Sequence, residues 1–414
     1  MMLVAQTVSP KAPARMTRTR TGDAEEDIAG IVLQTEFGKT HHSPNPETMK
    51  LLELCTSPGF GGLELYAAKV ARHYQREGAL RLAVVAGDTL LEERLREAGL
   101  PVRRLQPRST YFPLLSAWRL AGWIRREAID VLHLHARKDL PLAVFARLLA
   151  RRSLRLVYTR QMALTRPRRG LWHRFLYRRV DAYVTITRRL EADARRFLPL
   201  EAGRITTLYY GVPKPQPPRE EDCRAWRSRQ GVPADAFTVA IFGRIEPGKG
   251  QHLLIDAVSR LLAEGLDIHL AIVGRPMSEA YLQELQEGVD RRGLSERIHF
   301  AGFHPHPPDI MGCFDTVVLA TKEETFGLVL AEAMRAGVAV IGSHAGGVPE
   351  IIEDGKTGLL FTSEDAEDLA RCLRRLVTEP GFRRRLARAG EAFADRQFTE
   401  EGHFARLTEL LAGQ

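Results

Sequence analysis

From residue 50 onward, short apolar runs and longer amphipathic runs take turns, and the series is run through twice. The first series contains "LLELC", "LRLAVVAG", "IDVLHLHA", "LRLVYTR", "DAYVTIT" and "RITTLYYG". The second contains "FTVAIFGRI", "DIHLAIVG", "RIHFAG", "TVVLAT", "AVIGS" and "TGLLF". Runs this apolar suit strands covered on both faces. Helical patterns lie between most of them, among them "GGLELYAAKVARHYQREG", "GQHLLIDAVSRLLAEG", "SEAYLQELQEGVDRRG", "FGLVLAEAMRAG" and "VPEIIEDG". Strand alternating with helix dictates a parallel sheet with helices on both faces. Between the two series stands "GVPKPQPPREED", residues 211–222, whose four prolines resist helix and mark a junction. The expected architecture is therefore α/β, with two doubly wound domains facing a cleft. The first covers 49–210, a linker 211–235 and the second domain 236–385. Helices over 386–414 complete the chain and pack back on the first domain. Ligands of open parallel sheets bind outside the carboxyl ends of the strands, which both domains turn toward the cleft.

Residues 1–48 are different. They are polar, rich in Pro, Thr and charge, and without periodicity, which reads as a disordered leader. Met49 directly precedes the first strand and reads as an alternative start. No run of apolar residues is long enough for a membrane-spanning helix, and the first residues lack the pattern of a secretory signal. The four cysteines lie far apart with no C-x-x-C pair, which points to reduced thiols in a cytoplasm and away from structural zinc. Charge is concentrated. Residues 151–196 hold fourteen arginines against three acids, more than the whole chain's net +9, so the remainder is slightly acidic. Such a segment attracts phosphates, anionic lipid or nucleic acid.

Three clusters carry chemistry. "FGRIEPGKG", residues 242–250, places Arg244 and Lys249 in a glycine-rich turn between a strand and a helix, a setting that suits a diphosphate. "KEETFGLVLAEAMRAGVAVIGSHAGGVPEII", residues 322–352, separates Glu324 from Glu332 by seven residues. In continuous helix these two would lie about 12 Å apart along the axis. Phe326 and Gly327 open the helix, whose first N–H groups can receive an anion. A third glycine turn, "SPGFGGLE", follows the first strand. It begins as a dinucleotide fingerprint with Gly59 and Gly61, but Glu64 stands where the third glycine belongs and Gly62 is extra.

Together, "GRIEPGKG" and "EETFGLVLAEAMRAGVAVIGSHAGGVPEII" resemble the signature of retaining glycosyltransferases of family 4, nucleotide-sugar enzymes with the two-domain GT-B fold. The likeness runs over nearly the whole chain from residue 49, and "SPGFGGLELYAAKVARHYQREG" resembles that family's glycine-rich turn. The resemblance implies an N-terminal Rossmann-like acceptor domain and a C-terminal Rossmann-like donor domain. It implies that Arg244 and Lys249 hold the donor diphosphate. Glu324 meets the donor sugar's hydroxyls, with the main chain of Phe326, Gly327 and Leu328 close by, and Glu332 meets the ribose. Gly61 and Gly62 admit the phosphates and sugar. The donor is then a substrate, with no separate cofactor and no metal. The acceptor is a glycan or lipid-linked acceptor such as a lipopolysaccharide core.

In the first domain, "VLHLHARKD" places His133 and His135 near a strand end, and "VYTRQMALTR" ends another strand in Thr159, Arg160 and Gln161. Many family members carry a histidine where Gln161 stands, so His135, Arg160 and Gln161 are the candidate cleft residues here. The basic segment 151–196, with Leu171, Trp172, Phe175, Leu176 and Val180 at helical spacing, reads either as a packed helix with a solvated basic face or as a dock on an anionic membrane. The second reading makes the enzyme peripheral on the inner face of the cell membrane. Three other readings compete. An NAD-dependent oxidoreductase gains from Asp88 after "LAVVAG" but fails on the glycine pattern. A nucleotide-sugar epimerase shares the two-domain shape. A nucleic-acid-binding protein would explain the charge, yet no recognised nucleic-acid module is present.

Overall fold

The structure is a computed structural model and describes residues 44–59, 61–107 and 109–414. The leader read over 1–48 therefore falls mostly outside the described residues. Two parallel sheets form. The first has seven strands: β1 (Leu51–Cys55), β2 (Leu80–Val85), β3 (Val102–Arg104), β4 (Val131–Leu134), β5 (Arg155–Arg160), β6 (Ala182–Thr185) and β7 (Ile205–Thr207). Their order is β3-β2-β1-β4-β5-β6-β7. The second has six: β8 (Phe237–Phe242), β9 (Ile268–Val273), β10 (Ile298–Gly302), β11 (Thr316–Leu319), β12 (Ala339–Ser343) and β13 (Leu359–Phe361), in the order β10-β9-β8-β11-β12-β13. Each order reverses beside its first strand, at β1/β4 and at β8/β11, so each sheet has a switch-point crevice there. β1, β4, β8, β9, β11 and β12 are buried throughout. That is why their sequences read as continuous apolar runs rather than alternating ones.

Two elements differ from the sequence reading. β3 was missed because "VRR" is a three-residue, largely exposed edge strand with no apolar run. "VPEIIEDG" forms only the single 3-10 turn Val348–Glu350, with Ile351 and Ile352 buried as plugs rather than as a helical face.

The chain crosses between the domains twice, and the crossings lie side by side. Val212 N–H donates to the Phe398 carbonyl at 2.8 Å, and Arg335 donates to the Val212 carbonyl. A Cβ on Gly211 would sit 2.7 Å from the Thr399 carbonyl oxygen, so only glycine permits this approach. The last helix, Glu400–Ala412, packs on the first sheet. It also meets the helix Gly62–Arg76, where His403 Nε2 lies 3.1 Å from Tyr66 Oη and Thr408 Oγ1 lies 2.9 Å from Tyr74 Oη.

The cysteine reading is corrected. Cys223 and Cys313 are joined in a disulfide with Cα atoms 5.1 Å apart, although 90 residues separate them in sequence. The helix Glu220–Arg229 leads into β8, while Cys313 lies just before the neighbouring β11, and this brings the pair together beside the N-terminal ends of these two central strands. Cys55 and Cys372 remain as buried thiols.

Candidate active site

β8 ends at Phe242, and Gly243 takes φ 141°, turning the chain into the Arg244–Gly250 loop. Gln251 Nε2 donates to the Arg244 carbonyl at 2.8 Å and fixes that turn. Gly250 has φ 76°, and a Cβ there would lie 2.2 Å from the Ala320 carbonyl oxygen. Glycine therefore lets this loop rest on the end of β11. The packing carries Lys249 across to Glu324, with Nζ 3.0 Å from Oε2 and the two side chains 25% and 23% exposed. Arg244 faces outward, 57% exposed, with Nη2 2.8 Å from Glu246 Oε1.

Glu324 is held from beneath by the glycine turn that follows β12, at Gly346 and Gly347. Gly347 N–H donates to the Glu324 carbonyl at 2.8 Å. A Cβ on Gly346, which has φ +62°, would lie 1.9 Å from that carbonyl oxygen, and one on Gly347 would lie 2.3 Å from the Thr325 carbonyl oxygen. The "HAGG" glycines thus seat the glutamate loop. Phe326 is buried edge-on against Tyr210, ring centroids 5.2 Å apart. Gly327, at φ 102°, starts the helix Leu328–Arg335. Among the described residues, the N–H groups of Phe326, Gly327 and Leu328 donate to no protein acceptor. Free donors at a helix start beside a lysine form a ready anion cradle.

Glu332 lies on the same helix one turn further along. Its carboxylate makes no hydrogen bond or ion pair among the described residues. Burial pushes it up to about 7, with the Lys69 charge pulling the other way. The residue keeps partial surface exposure even though protein atoms crowd its carboxyl. Lys69 comes from the first domain's helix Gly62–Arg76, so Glu332 faces across the interdomain space.

On the first-domain side, Gly61 is the residue before that helix, and its N–H donates to Glu64 Oε2 at 2.8 Å. A Cβ on Gly62 would meet no protein atom within 4 Å, so packing does not demand glycine and open space lies over the turn. Below it, β1 and β4 place three polar side chains together. Glu53 accepts from His133 Nδ1 at 2.9 Å and from His135 Nε2 at 2.7 Å, all three fully or almost fully buried. Burial alone would raise the Glu53 carboxyl, but the charge and hydrogen bonds of the two imidazoles pull it down to about 2. His133 Nε2 in turn lies 2.7 Å from the Thr159 hydroxyl. His135 Nδ1 is buried with no partner, and burial holds that imidazole below the usual histidine range.

The sequence showed no metal-binding spacing, yet this trio brings three ligand-type atoms within 4.8 Å of one another. Both oxygens of Glu53 and both nitrogens of His133 are already engaged. The set is closed by its own hydrogen bonds and offers a metal no convergent open face.

Arg160 does not present its guanidinium to the cleft. It donates to the Met162 and Ala163 carbonyls and to Tyr158 Oη, tying down the strand-end loop. Gln161 is buried, and its amide nitrogen has no partner. The structure thus brings Lys249 to Glu324 and builds the cradle of Phe326, Gly327 and Leu328. It leaves Arg244 in solvent and Arg160 in a structural role.

Several contributors carried no sequence signal. Glu350 caps the helix Arg188–Phe197 of the opposite domain, accepting from Arg188 N–H at 2.7 Å and from Arg189 N–H at 2.9 Å. Tyr210 and Tyr66 bridge from Phe326 toward His135, with centroids 4.9 Å and 5.6 Å apart in the two further steps. Glu53 reads as one polar residue in an apolar strand.

Comparison with known proteins follows this geometry. Residues 222–393 match the model of glycosyl transferases group 1, and residues 61–211 match that of the glycosyl transferase 4-like domain. The lipopolysaccharide core biosynthesis mannosyltransferase LpsB of Rhizobium meliloti is 32% identical over 251 residues, covering 59% of this chain and 68% of LpsB. The chain is a group 1 glycosyltransferase. LpcC of Rhizobium leguminosarum bv. viciae, another lipopolysaccharide core mannosyltransferase, is 28% identical to this glycosyltransferase over 67% of the chain and 75% of LpcC. Other relatives match over about half their own length, LpsE of Rhizobium meliloti over 53%. Among solved structures, Anabaena HepE in complex with UDP and glucose superposes with a TM-score of 0.75 at 25% identity, covering 88% of this chain and 100% of HepE. The glycosyltransferase from Rickettsia africae, TM-score 0.79 at 18% identity over 88% of this chain and 98% of that one, shares the fold. The two-domain GT-B architecture and the glycosyltransferase activity stand on these matches, which give the oxidoreductase reading no support.

Proposed function

We propose that this glycosyltransferase moves a hexose from a nucleoside-diphosphate sugar to a lipid-linked glycan of the lipopolysaccharide-core kind, with retention at the anomeric carbon. The observation that carries the donor reading is the Lys249–Glu324 pair at 3.0 Å, set beside the free N–H groups that open the helix Leu328–Arg335. Lys249, joined by Arg244 when its side chain folds inward, neutralises the leaving diphosphate, the task a divalent ion performs elsewhere. Glu324, released from Lys249 by the arriving phosphates, accepts hydroxyls of the sugar. Glu332 accepts from the ribose. On the other wall, the open turn at Gly61 and Gly62 admits the sugar, and the buried His135 with its bare Nδ1 is the candidate histidine on the first-domain side. The names of LpsB and LpcC support a core-glycan acceptor. The basic segment 151–196 supports docking on an anionic membrane of the cytoplasmic face, where such acceptors are anchored. Arg166, Arg174 and Arg178 within it are exposed and pair with no carboxylate among the described residues.

Thermal shift with UDP-, ADP- and GDP-sugars tests the donor reading. Stabilisation by one sugar nucleotide, lost in Lys249→Ala, is expected. A shift with NAD and none with any sugar nucleotide would overturn it.

A further inference from the structure

Large apolar side chains are exposed in one district of the first domain. Tyr111 is 65% exposed, Phe112 61%, Leu115 66%, Trp118 62% and Leu171 84%. Seven of the thirteen exposed large hydrophobic residues among the described ones come from 111–118, 162 and 171, so the exposure is regional rather than scattered. The helix Leu114–Arg126 already buries Ala117, Leu120, Ala121, Trp123 and Ile124 against the domain. Leu115 and Trp118, three apart, form a second apolar face that the protein leaves uncovered. The neighbouring helix Leu171–Tyr177 joins it, since the Phe112 and Trp172 rings lie 4.9 Å apart. Tyr111 and Phe112 lie in the connection that leaves the carboxyl end of β3, and Met162 in the one that leaves the carboxyl end of β5, so both connections emerge at the sheet end where the cleft opens.

Its charge is of one sign. Residues 103–126 and 151–180 contain no Asp or Glu. Arg119, Arg166, Arg174 and Arg178 are exposed and form no ion pair among the described residues. Projecting Trp, Tyr, Phe and Leu side chains within a collar of unpaired arginines match the boundary of an anionic bilayer. There aromatic rings settle at headgroup depth and guanidinium groups meet phosphates. A protein partner would have to supply a wholly acidic rim around an apolar centre.

We infer that Tyr111, Phe112, Leu115, Trp118 and Leu171 insert into the headgroup region of an anionic phospholipid bilayer and seat the cleft mouth against it. This deepens the membrane reading above, which rests on charge from 151–196. It adds an apolar anchor in 111–118 that the basic segment does not contain.

Sedimentation of the full chain with vesicles of phosphatidylglycerol in phosphatidylcholine, against phosphatidylcholine alone, tests it in low and in raised salt. The expected result is binding to the anionic vesicles that persists in part in salt, with the tryptophan emission moving to the blue. Tyr111→Ser/Phe112→Ser/Leu115→Ser/Trp118→Ser should weaken binding by about tenfold or more. Trp118→Phe should keep binding and lose most of the emission shift. Stabilisation by the sugar nucleotide should stay unchanged in every variant, which separates a failure here from a failure of the donor reading. If the serine variant binds as the parent does while Arg166→Gln/Arg174→Gln/Arg178→Gln does not, insertion is overturned and charge docking stands. If the parent ignores anionic vesicles, both fall. If gel filtration shows a dimer that the serine variant dissolves, without vesicle binding, the district is a self-interface and the inference is overturned.

Discussion

The two walls of the cleft treat polar groups in opposite ways. In the second domain Lys249 and Glu324 pair while each keeps about a quarter of its side chain in solvent. Beside them the N–H groups of Phe326, Gly327 and Leu328 and the carboxylate of Glu332 have no protein partner. In the first domain Glu53, His133 and Thr159 engage one another in the buried interior, while His135 joins them through Nε2 and keeps its Nδ1 without a partner. Partly exposed charge beside unpaired donors is held for a ligand, whereas a closed buried network holds strands in register. The contrast teaches where function and stability should separate. Damage on the second-domain wall should register in turnover, and damage to the Glu53 network in folding.

The widest separation is expected at Lys249. Lys249→Ala should reduce turnover on the order of a hundredfold or more with little change in melting temperature, and steady-state kinetics beside calorimetry decides it. Arg244→Ala belongs to the same class, and near-normal rates in both variants would remove the diphosphate assignment. Next comes Gly346→Ala. A methyl group 1.9 Å from the Glu324 carbonyl oxygen must displace that loop, so kcat/KM should fall on the order of tenfold to a hundredfold.

On the opposite wall, Glu53→Ala removes the shared acceptor of two buried imidazoles. It should cost about 3–5 kcal/mol, read by chemical denaturation. The pH dependence has a definite sign. The Glu53 carboxyl is lower in the folded chain, at about 2, than its ordinary 4.5. Its contribution is therefore complete above pH 4.5 and is lost as pH falls toward 2. Glu53→Gln should flatten the stability profile in that window.

Glu332 runs the other way and gives the smallest effect. Its folded value near 7 lies above the ordinary 4.5, so the folded chain binds the extra proton and loses stability as pH rises from 4.5 through 7. Glu332→Gln should raise the melting temperature at pH 8 by about 2–4 °C, with the gain vanishing toward pH 5. The same variant should weaken donor binding. A flat difference across pH would place the Glu332 carboxyl in ordinary solvent. Separately, thiol titration of the unfolded, unreduced chain should find two free cysteines of the four.

The fold was legible because buried parallel strands must be apolar along their whole length, and twelve such runs announce themselves. The exception is β3, an edge strand with no need of an apolar run. On the second-domain wall, Lys249, Glu324, Gly327 and Glu332 stood out because turn glycines and charges cluster within short stretches. What those glycines do was not legible. Gly346 and Gly347 read only as another glycine turn at a strand end, and it is the structure that sets them under the main chain of Glu324 and Thr325. Arg160 read as a cleft residue, but its donors are taken by the Met162 and Ala163 carbonyls, contacts that follow from how its own loop folds back.

By itself the sequence determined the α/β class and the doubled plan, because each is written in neighbouring residues. Only tertiary structure decided the partnership of Glu53 with His133 and His135, the Cys223–Cys313 bond, the capping of Arg188–Phe197 by Glu350 and the gathering of Phe112 with Trp172. Each of these joins residues brought together by strand order and domain contact, and that proximity leaves no local pattern to read.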